Sequence, residues 1–173
     1  MSVNDPAMVP EGAGGACGPE GVEILVQVDA PEDWPARAGL EEVARRAAGA
    51  AWREGGGGPG RVSITLSDDD AVRDLNRRWR GRDAPTNVLS FPAPPMPAPP
   101  GEAPFLGDLV LAGGVVAREA REAGVPLGEH LAWLVIHGIL HLLGHDHLRE
   151  EERRRMEELE CRALRRLGME SPY

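Results

Sequence analysis

The chain has 173 residues, the length of one ordinary domain that can bury a hydrophobic core of its own. Its formal net charge of −9 argues against broad, sequence-independent binding to nucleic acid, because such binding depends on cations that neutralise phosphates. The cysteines, Cys17 and Cys161, lie at opposite ends of the sequence, so neither a disulfide framework nor a cysteine-based zinc site is indicated.

The N-terminal segment indicates neither export nor a membrane anchor. Residues 1–20 contain no Lys or Arg and no sustained apolar run, which argues against a secretory signal, and no later segment has the length of a membrane span. We therefore expect a cytoplasmic protein without membrane association. Because the segment is rich in Gly and Pro and lacks periodicity, it is predicted to be a disordered tail, followed by a single domain at 21–173.

The first part of this domain is predicted to contain two strands with a helix between them. Residues 22–28 and 61–66 are rich in β-branched residues and partly alternate between apolar and polar. Between them, Leu40, Val43, Ala47 and neighbouring alanines recur at helical spacing. A run of Gly and Pro at 55–60 then ends the helical pattern.

A second helix is predicted to follow the second strand. Ser67 and Asp70 give a capping signal at its start, and the helical pattern continues to about Arg80. Spacing along this helix predicts an apolar face made of Ala71, Val72, Leu75 and Trp79.

The second part of the domain is predicted to add two strands and three helices. A proline-rich loop at 92–104 separates the two strands. The order of elements predicts one α+β domain, in which a small mixed sheet of about four strands packs with helices. The strands are predicted at 88–91 and 106–111, and the helices at 114–123, 128–143 and about 150–167.

Four of the five histidines lie in residues 137–147, which read HGILHLLGHDH. Residues four apart on a helix share one face, so His137 and His141 can direct ring nitrogens at one cation. Gly144 permits a left-handed turn out of the helix, which lets His147 return as a third ligand. His145 follows the glycine directly and is not expected to bind the cation. The alternative is that these are ordinary core and capping histidines.

The spacing of these histidines is that of the metzincin zinc proteases, but Gly138 replaces the glutamate that activates water there. Peptide hydrolysis by that mechanism would lack its base. Three imidazoles leave one open position on a tetrahedral cation, which can lower the pKa of a water from 15.7 to about 7. We expect one zinc ion per chain, although nickel, copper and iron also suit this set of donors.

The sequence resembles a known family in three places. HGILHLLGHDH resembles the HGxLHLxGYDH signature of the YbeY endoribonucleases, except that His145 replaces the tyrosine. LNRRWRGRDAPTNVLSF at 75–91 is similar to a second conserved block of that family, and Leu106–Val110 to its LGDI segment. The resemblance covers roughly Val22–Tyr173. It implies a single α+β domain with zinc in a cleft, and cleavage of single-stranded RNA in rRNA processing and ribosome quality control.

The resemblance also implies roles for individual residues. It places the metal ligands at His137, His141 and His147, and a functionally important arginine at Arg80. A guanidinium offers paired donors that match phosphate, so Arg80 is expected to act on the scissile phosphodiester. The expected target is the 3′ end of small-subunit rRNA, and the expected partners are the small ribosomal subunit and its assembly proteins. DNA is not expected to be a substrate.

Five arginines in residues 73–82, with only Asp74 as a nearby acid, predict a local positive patch on this acidic chain. For Arg73, Arg77 and Arg78 the alternative is a solvated helix face. Because aromatic residues make up only 4% of the chain, extensive stacking of bases on the protein is not expected.

Five side chains near these motifs are not expected to bind the metal or cleave RNA. Thr86 and Asn87 are expected to brace the chain after Pro85, and His130 to be an ordinary surface or core histidine. His145 is expected at the mouth of the cleft. Asp146 either orients a ligand imidazole or caps the loop and the next helix.

Two other functions compete with RNA cleavage. One is a ribosome-assembly protein whose zinc is mainly structural, which the lack of an obvious general base favours. The other is a metal-dependent hydrolase of peptides or small molecules, which Gly138 disfavours.

Overall fold

The computed structural model describes residues 21–34 and 39–172, so the predicted tail at 1–20 lies outside the described residues. The prediction of one α+β domain with a four-stranded mixed sheet and five helices is confirmed. The strands are β1 (Val22–Val28), β2 (Gly60–Ser67), β3 (Val88–Pro92) and β4 (Phe105–Ala112). The helices are α1 (Leu40–Glu54), α2 (Asp69–Arg80), α3 (Gly113–Ala123), α4 (Leu127–Leu142) and α5 (Glu150–Arg166), with a short 3-10 helix at Pro31–Asp33.

The strand order in the sheet is β1-β2-β4-β3, which leaves β3 as an edge strand. β1, β2 and β4 run parallel, and β3 pairs antiparallel with β4. Gly107 has a φ of 143° where β4 passes Pro92, and an added Cβ would lie 2.3 Å from the carbonyl oxygen of Phe91. Glycine is therefore required for the edge strand to approach β4 this closely.

The sheet carries helices on both faces because alternate strand residues point to opposite sides. Leu109 and Leu111 of β4 join the larger core, to which α1, α4 and α5 contribute. Val110 points the other way, into a smaller cluster that includes Val72 of α2 and Leu89 of β3. The central helix α4 is buried along most of its length, which fixes the position of any polar side chain that it carries.

Two predictions for α2 are wrong in detail. The helix is capped by Asp68, whose Oδ1 accepts a hydrogen bond of 2.6 Å from the backbone N–H of Ala71, whereas Ser67 ends β2. The buried residues of this helix are Val72 and Asn76, which lie four apart on one line. Leu75 packs beside Val72 as predicted, whereas Ala71 and Trp79 are exposed and do not join the core.

No single helix in the described ranges has the length and apolar composition of a membrane span. α3 and α4 reach those values only as a pair, and the chain bends by 114° between them.

Candidate active site

The C-terminal end of α4 brings the histidine-rich segment back toward its own helix. Gly144 has a φ of 91°, and its N–H donates a hydrogen bond of 3.0 Å to the carbonyl oxygen of His141. The N–H of His145 donates to the carbonyl oxygen of Leu140, also at 3.0 Å, which completes a Schellman motif. The predicted left-handed turn is therefore present, and it directs the chain so that His147 approaches the helix.

The structure brings together the three histidines that were predicted to bind a metal. One ring nitrogen from each of His137, His141 and His147 lies within 4.8 Å of the others. The Nε2 atoms of His137 and His141 are 3.1 Å apart. Two nitrogens that bind one tetrahedral zinc at its usual bond length are roughly 3.3 Å apart, so this donor set fits a metal ion.

The environment of His141 favours the form of imidazole that can bind a metal. Burial lowers the pKa of His141 from its ordinary value of 6.5, and positive charge on His137 and His147 lowers it further. The ring therefore stays neutral, with a lone pair available, to a lower pH than an exposed histidine would.

A buried carboxylate orients His137 from behind. Glu160 of α5 is only 1% exposed, and its Oε1 lies 2.7 Å from Nδ1 of His137. Trp133 donates from Nε1 to the other carboxylate oxygen at 3.4 Å. A carboxylate in this place favours the tautomer with a proton on Nδ1, which leaves Nε2 of His137 to face a metal.

Glu160 was missed by the sequence analysis, although the sequence carries a signal for it. It lies four residues after Met156 and three before Ala163, both of which are on the buried face of α5. An acidic residue on such a face must have a polar partner, because an unpaired buried charge is strongly unfavourable.

Gly138 allows α4 to pack closely against the sheet. A Cβ at this position would lie 2.7 Å from Cδ2 of Leu109 and 3.3 Å from Oγ of Ser90. A larger side chain fits there only if the buried Leu109 side chain or the helix shifts. The packing therefore gives a structural reason for the absence of glutamate at the position where metzincins carry their base.

The histidines line a cleft of about 460 Å³ between two walls. The α4 wall consists of Trp133, Leu134, His137 and His141, and His147 lies at its end. The β3 wall consists of Arg80, Thr86, Asn87, Val88, Ser90 and Pro92. Arg80 thus lines the same cleft as the three histidines.

The chain after Arg80 is tied back to α2, which holds the start of β3 near Arg80. Gly81 ends α2 with a φ of 69°, and its N–H donates to the carbonyl oxygen of Arg77. Nδ2 of Asn76 then donates to the carbonyl oxygen of Ala84 at 2.8 Å. These bonds fix the loop that leads into β3.

The arginine cluster is less positive than the sequence indicated. Arg73 forms two hydrogen bonds with Asp83, at 2.8 and 3.1 Å, and its side chain lowers the pKa of that carboxyl group. Asp83 is thus a second acid, so the prediction that only Asp74 lies nearby is wrong. Arg77 and Arg78 both pair with Asp74. In the described part of the chain, Arg80 and Arg82 have no ion-pair partner.

Asn87 has the structural role that was expected. Its Oδ1 accepts a hydrogen bond of 2.7 Å from the N–H of Val88, at the start of β3. Its Nδ2 donates to Oε2 of Glu119 at 3.1 Å, and the same oxygen lies 2.8 Å from Nε2 of His130. His130 is a partly buried histidine paired with an acid and stacked on Trp133, outside the group of three.

His145 and Asp146 support the loop that carries His147. Nε2 of His145 lies 3.0 Å from the carbonyl oxygen of Gly55, at the end of α1. His145 is not among the residues that line the cleft, so the prediction that it lies at the cleft mouth is wrong. Asp146 accepts a hydrogen bond of 2.7 Å from the N–H of His147, whereas Glu152 closes the first turn of α5.

Comparison with known proteins identifies the family. The sequence matches the family model described as Endoribonuclease YbeY over residues 36–168. A protein named Endoribonuclease YbeY from Chelativorans sp. is 46% identical over 142 residues, which are 82% of this chain and 87% of that protein. The protein of the same name from Rhodopseudomonas palustris is 44% identical over 159 residues, which are 90% of this chain and 91% of that protein.

The fold is also found among solved structures. A Thermotoga maritima protein whose structure was determined in solution superposes with a TM-score of 0.55 at 25% identity, covering 84% of this chain and 91% of that one. The family match spans most of the chain, and two relatives that are over 40% identical to it in the aligned regions carry the family name. The chain therefore belongs to the YbeY family of endoribonucleases.

Proposed function

We propose that this protein is a zinc-dependent endoribonuclease that cleaves single-stranded RNA during rRNA maturation and ribosome quality control, with the 3′ end of small-subunit rRNA as its target. The observation that carries the proposal is the shared cleft, in which three converging imidazoles face a wall that contains Arg80. Because the chain belongs to an endoribonuclease family, the substrate class is RNA.

His137, His141 and His147 are proposed to hold one zinc ion per chain. Three imidazoles with a further open position are a donor set of catalytic zinc sites. When bound, the ion supplies a Lewis acid that lowers the pKa of water and polarises a phosphoryl oxygen. Glu160 keeps the ring of His137 in the orientation and tautomer that this requires.

Arg80 is proposed to be the catalytic residue of the β3 wall. Its guanidinium carries paired donors that match two phosphate oxygens, and no acid in the described ranges neutralises it. In the cleft it orients the scissile phosphate and stabilises the negative charge that develops as the phosphodiester bond breaks.

The family and the composition support the wider context of the proposal. The partners are the small ribosomal subunit and its assembly proteins, and the site of action is the cytoplasm, with neither DNA nor a membrane involved. Substrate selection is assigned partly to these partners, because the net charge of −9 gives the chain little general affinity for RNA. The catalytic domain is assigned to residues 21–173, with residues 1–20 outside it.

Incubation of the purified protein with labelled single-stranded RNA tests the proposal. Cleavage is expected with the metal-loaded protein, loss of cleavage with a chelator, and recovery when zinc is added. Matched duplex RNA and single-stranded DNA should stay intact. If the loaded protein binds small ribosomal subunits but cuts no RNA, the ribosome-assembly function replaces this proposal. If it cleaves a peptide library instead, the protein is a metal-dependent hydrolase of peptides.

A further inference from the structure

An exposed tryptophan lies beside the cleft, in the last turn of α2. Trp79 is 71% exposed, whereas Trp34 and Trp52 are buried. Its ring contacts Phe91 edge to face, with ring centroids 6.2 Å apart. We call Trp79 and Phe91 the aromatic pair. An exposed indole offers a large flat surface on which a ligand can pack, and its position next to Arg80 makes the pair a candidate contact surface.

The aromatic pair is adjacent to the β3 wall. Trp79 immediately precedes Arg80, and Phe91 lies between Ser90 and Pro92. Arg80, Ser90 and Pro92 line the cleft. Neighbouring strand residues point to opposite faces, so Phe91 lies on the far side of β3 from the cleft. Because β3 is an edge strand, a flexible chain that leaves the cleft can pass around it and meet Trp79 directly.

The charges around the aromatic pair favour a polyanion. Arg80 and Arg82 follow Trp79 in the sequence, and neither has an ion-pair partner among residues 21–34 and 39–172. The chain has a net charge of −9, but these two unneutralised guanidinium groups give the surface next to the exposed indole a positive charge. An aromatic face beside phosphate-binding cations is how proteins bind unpaired nucleotides.

We propose that the aromatic pair is a stacking site for one unpaired base of the RNA strand whose phosphate Arg80 holds. This inference rests on the proposed function and adds a nucleotide-binding contact outside the cleft. Phe91 supports the indole at its edge, and Trp79 makes the contact with the base. A base in a duplex already stacks on its neighbours and presents no open face, so the site selects single strands.

Equilibrium binding of a labelled single-stranded RNA tests the stacking site. Fluorescence anisotropy is recorded with the zinc-loaded full chain before any product forms, and the same samples are run on denaturing gels. Trp79→Ala is expected to weaken binding about 10-fold, as for the loss of one stacked base, and Trp79→Phe to retain most of the affinity. Leu25→Ala is the matched control, because Leu25 is 58% exposed on the opposite edge strand, β1.

A fully abasic strand of equal length separates stacking from other causes. Trp79→Ala should bind this strand as the unsubstituted protein does. Unchanged affinity of Trp79→Ala for the normal RNA would overturn the inference and leave the pair as a contact for another macromolecule. An equal loss on both strands, with unchanged thermal unfolding, would also overturn it. Binding that depends on Trp79 without any cleavage would contradict the proposed function alone.

Discussion

The two walls of the cleft differ in how their side chains are held. On the α4 wall, the helix is buried on most sides, and His137 is fixed from behind by Glu160, a carboxylate that is 1% exposed. On the β3 wall, Arg80 ends a helix whose last turn is exposed, and it has no ion-pair partner in the described part of the chain. One wall is organised before any ligand arrives, and the other presents an unneutralised charge.

This difference matches what each wall is proposed to bind. A metal ion needs donors fixed in position, and rigid support for its ligands raises its affinity. A polyanionic strand needs a cation that is not already neutralised, because an arginine held by an acid gains little from a phosphate. Variants of the α4 wall should therefore change metal content, whereas variants of the β3 wall should change the handling of RNA and leave the metal in place.

His141→Ala should abolish stoichiometric metal binding. The substitution leaves two of the three imidazoles, and the Nε2 of His141 that lies 3.1 Å from that of His137 is lost. Elemental analysis of the purified protein measures the effect. One tightly bound metal per chain in this variant would contradict the assignment of the α4 wall.

His145→Tyr is the matched control for the histidine segment. His145 bonds to the carbonyl oxygen of Gly55 and lies outside the group of three. A tyrosine hydroxyl can donate to the same carbonyl oxygen, so metal and cleavage should both survive, whereas His147→Ala should lose both. The reverse pattern would move the third ligand to His145.

Arg80→Ala should lower RNA cleavage on the order of 100-fold or more and leave the metal content unchanged, because a donor that stabilises developing charge is removed. Arg80→Lys should recover little, since an ammonium lacks the paired geometry. Single-turnover cleavage of single-stranded RNA gives the rate. Arg77→Ala is the control, because Arg77 pairs with Asp74 and lies outside the cleft. Cleavage by Arg80→Ala at the normal rate would make Arg80 a surface residue.

The parts of the site that the sequence predicted are those that local rules determine. The spacing of His137 and His141, and the turn at Gly144, involve residues within one or two helical turns, so the convergence of the three histidines could be predicted. The strands and helices were predicted for the same reason. The position of β3 at the edge of the sheet depends on pairing with β4, which lies beyond the proline-rich loop.

The errors concern contacts between distant segments. Helical spacing places Trp79 on the same face as Val72, but the indole is exposed. Asn76 is buried on that face instead, where its Nδ2 donates to the loop carbonyl of Ala84. His145 is fixed by Gly55, which is 90 residues away in the sequence. Glu160 orients His137 only because α5 packs against α4. No local pattern contains these pairings.

Glu160→Gln should weaken metal binding by about 10- to 100-fold, the usual effect of losing a group that orients a metal ligand. The amide keeps the shape of the side chain but removes the charge that favours a proton on Nδ1 of His137. Competition with a calibrated chelator gives the affinity. Glu151→Gln, an exposed position on the same helix, is the control and should bind metal normally. Equal affinities in the two variants would show that Glu160 serves packing alone.

The metal-free protein should become modestly less stable as the pH falls, because the surroundings of His141 are buried. Burial lowers the pKa of this histidine below 6.5, and positive charge on His137 and His147 adds to the shift. The histidine of the unfolded chain therefore binds a proton more readily than His141 of the folded chain. The contribution of neutral His141 to the stability of the folded state is fully present above pH 6.5 and is lost as the pH falls below it.

Thermal unfolding of the metal-free protein between pH 7 and 5 measures this dependence, and NMR titration should place the midpoint of His141 below 6.5. His141→Gln removes the titrating group, so its unfolding temperature should fall less steeply over this range. His130→Gln is the comparison, because His130 faces Glu119 and lies outside the histidine group. Equal pH dependence in His141→Gln and the unsubstituted chain would mean that the α4 wall does not hold His141 in its neutral form.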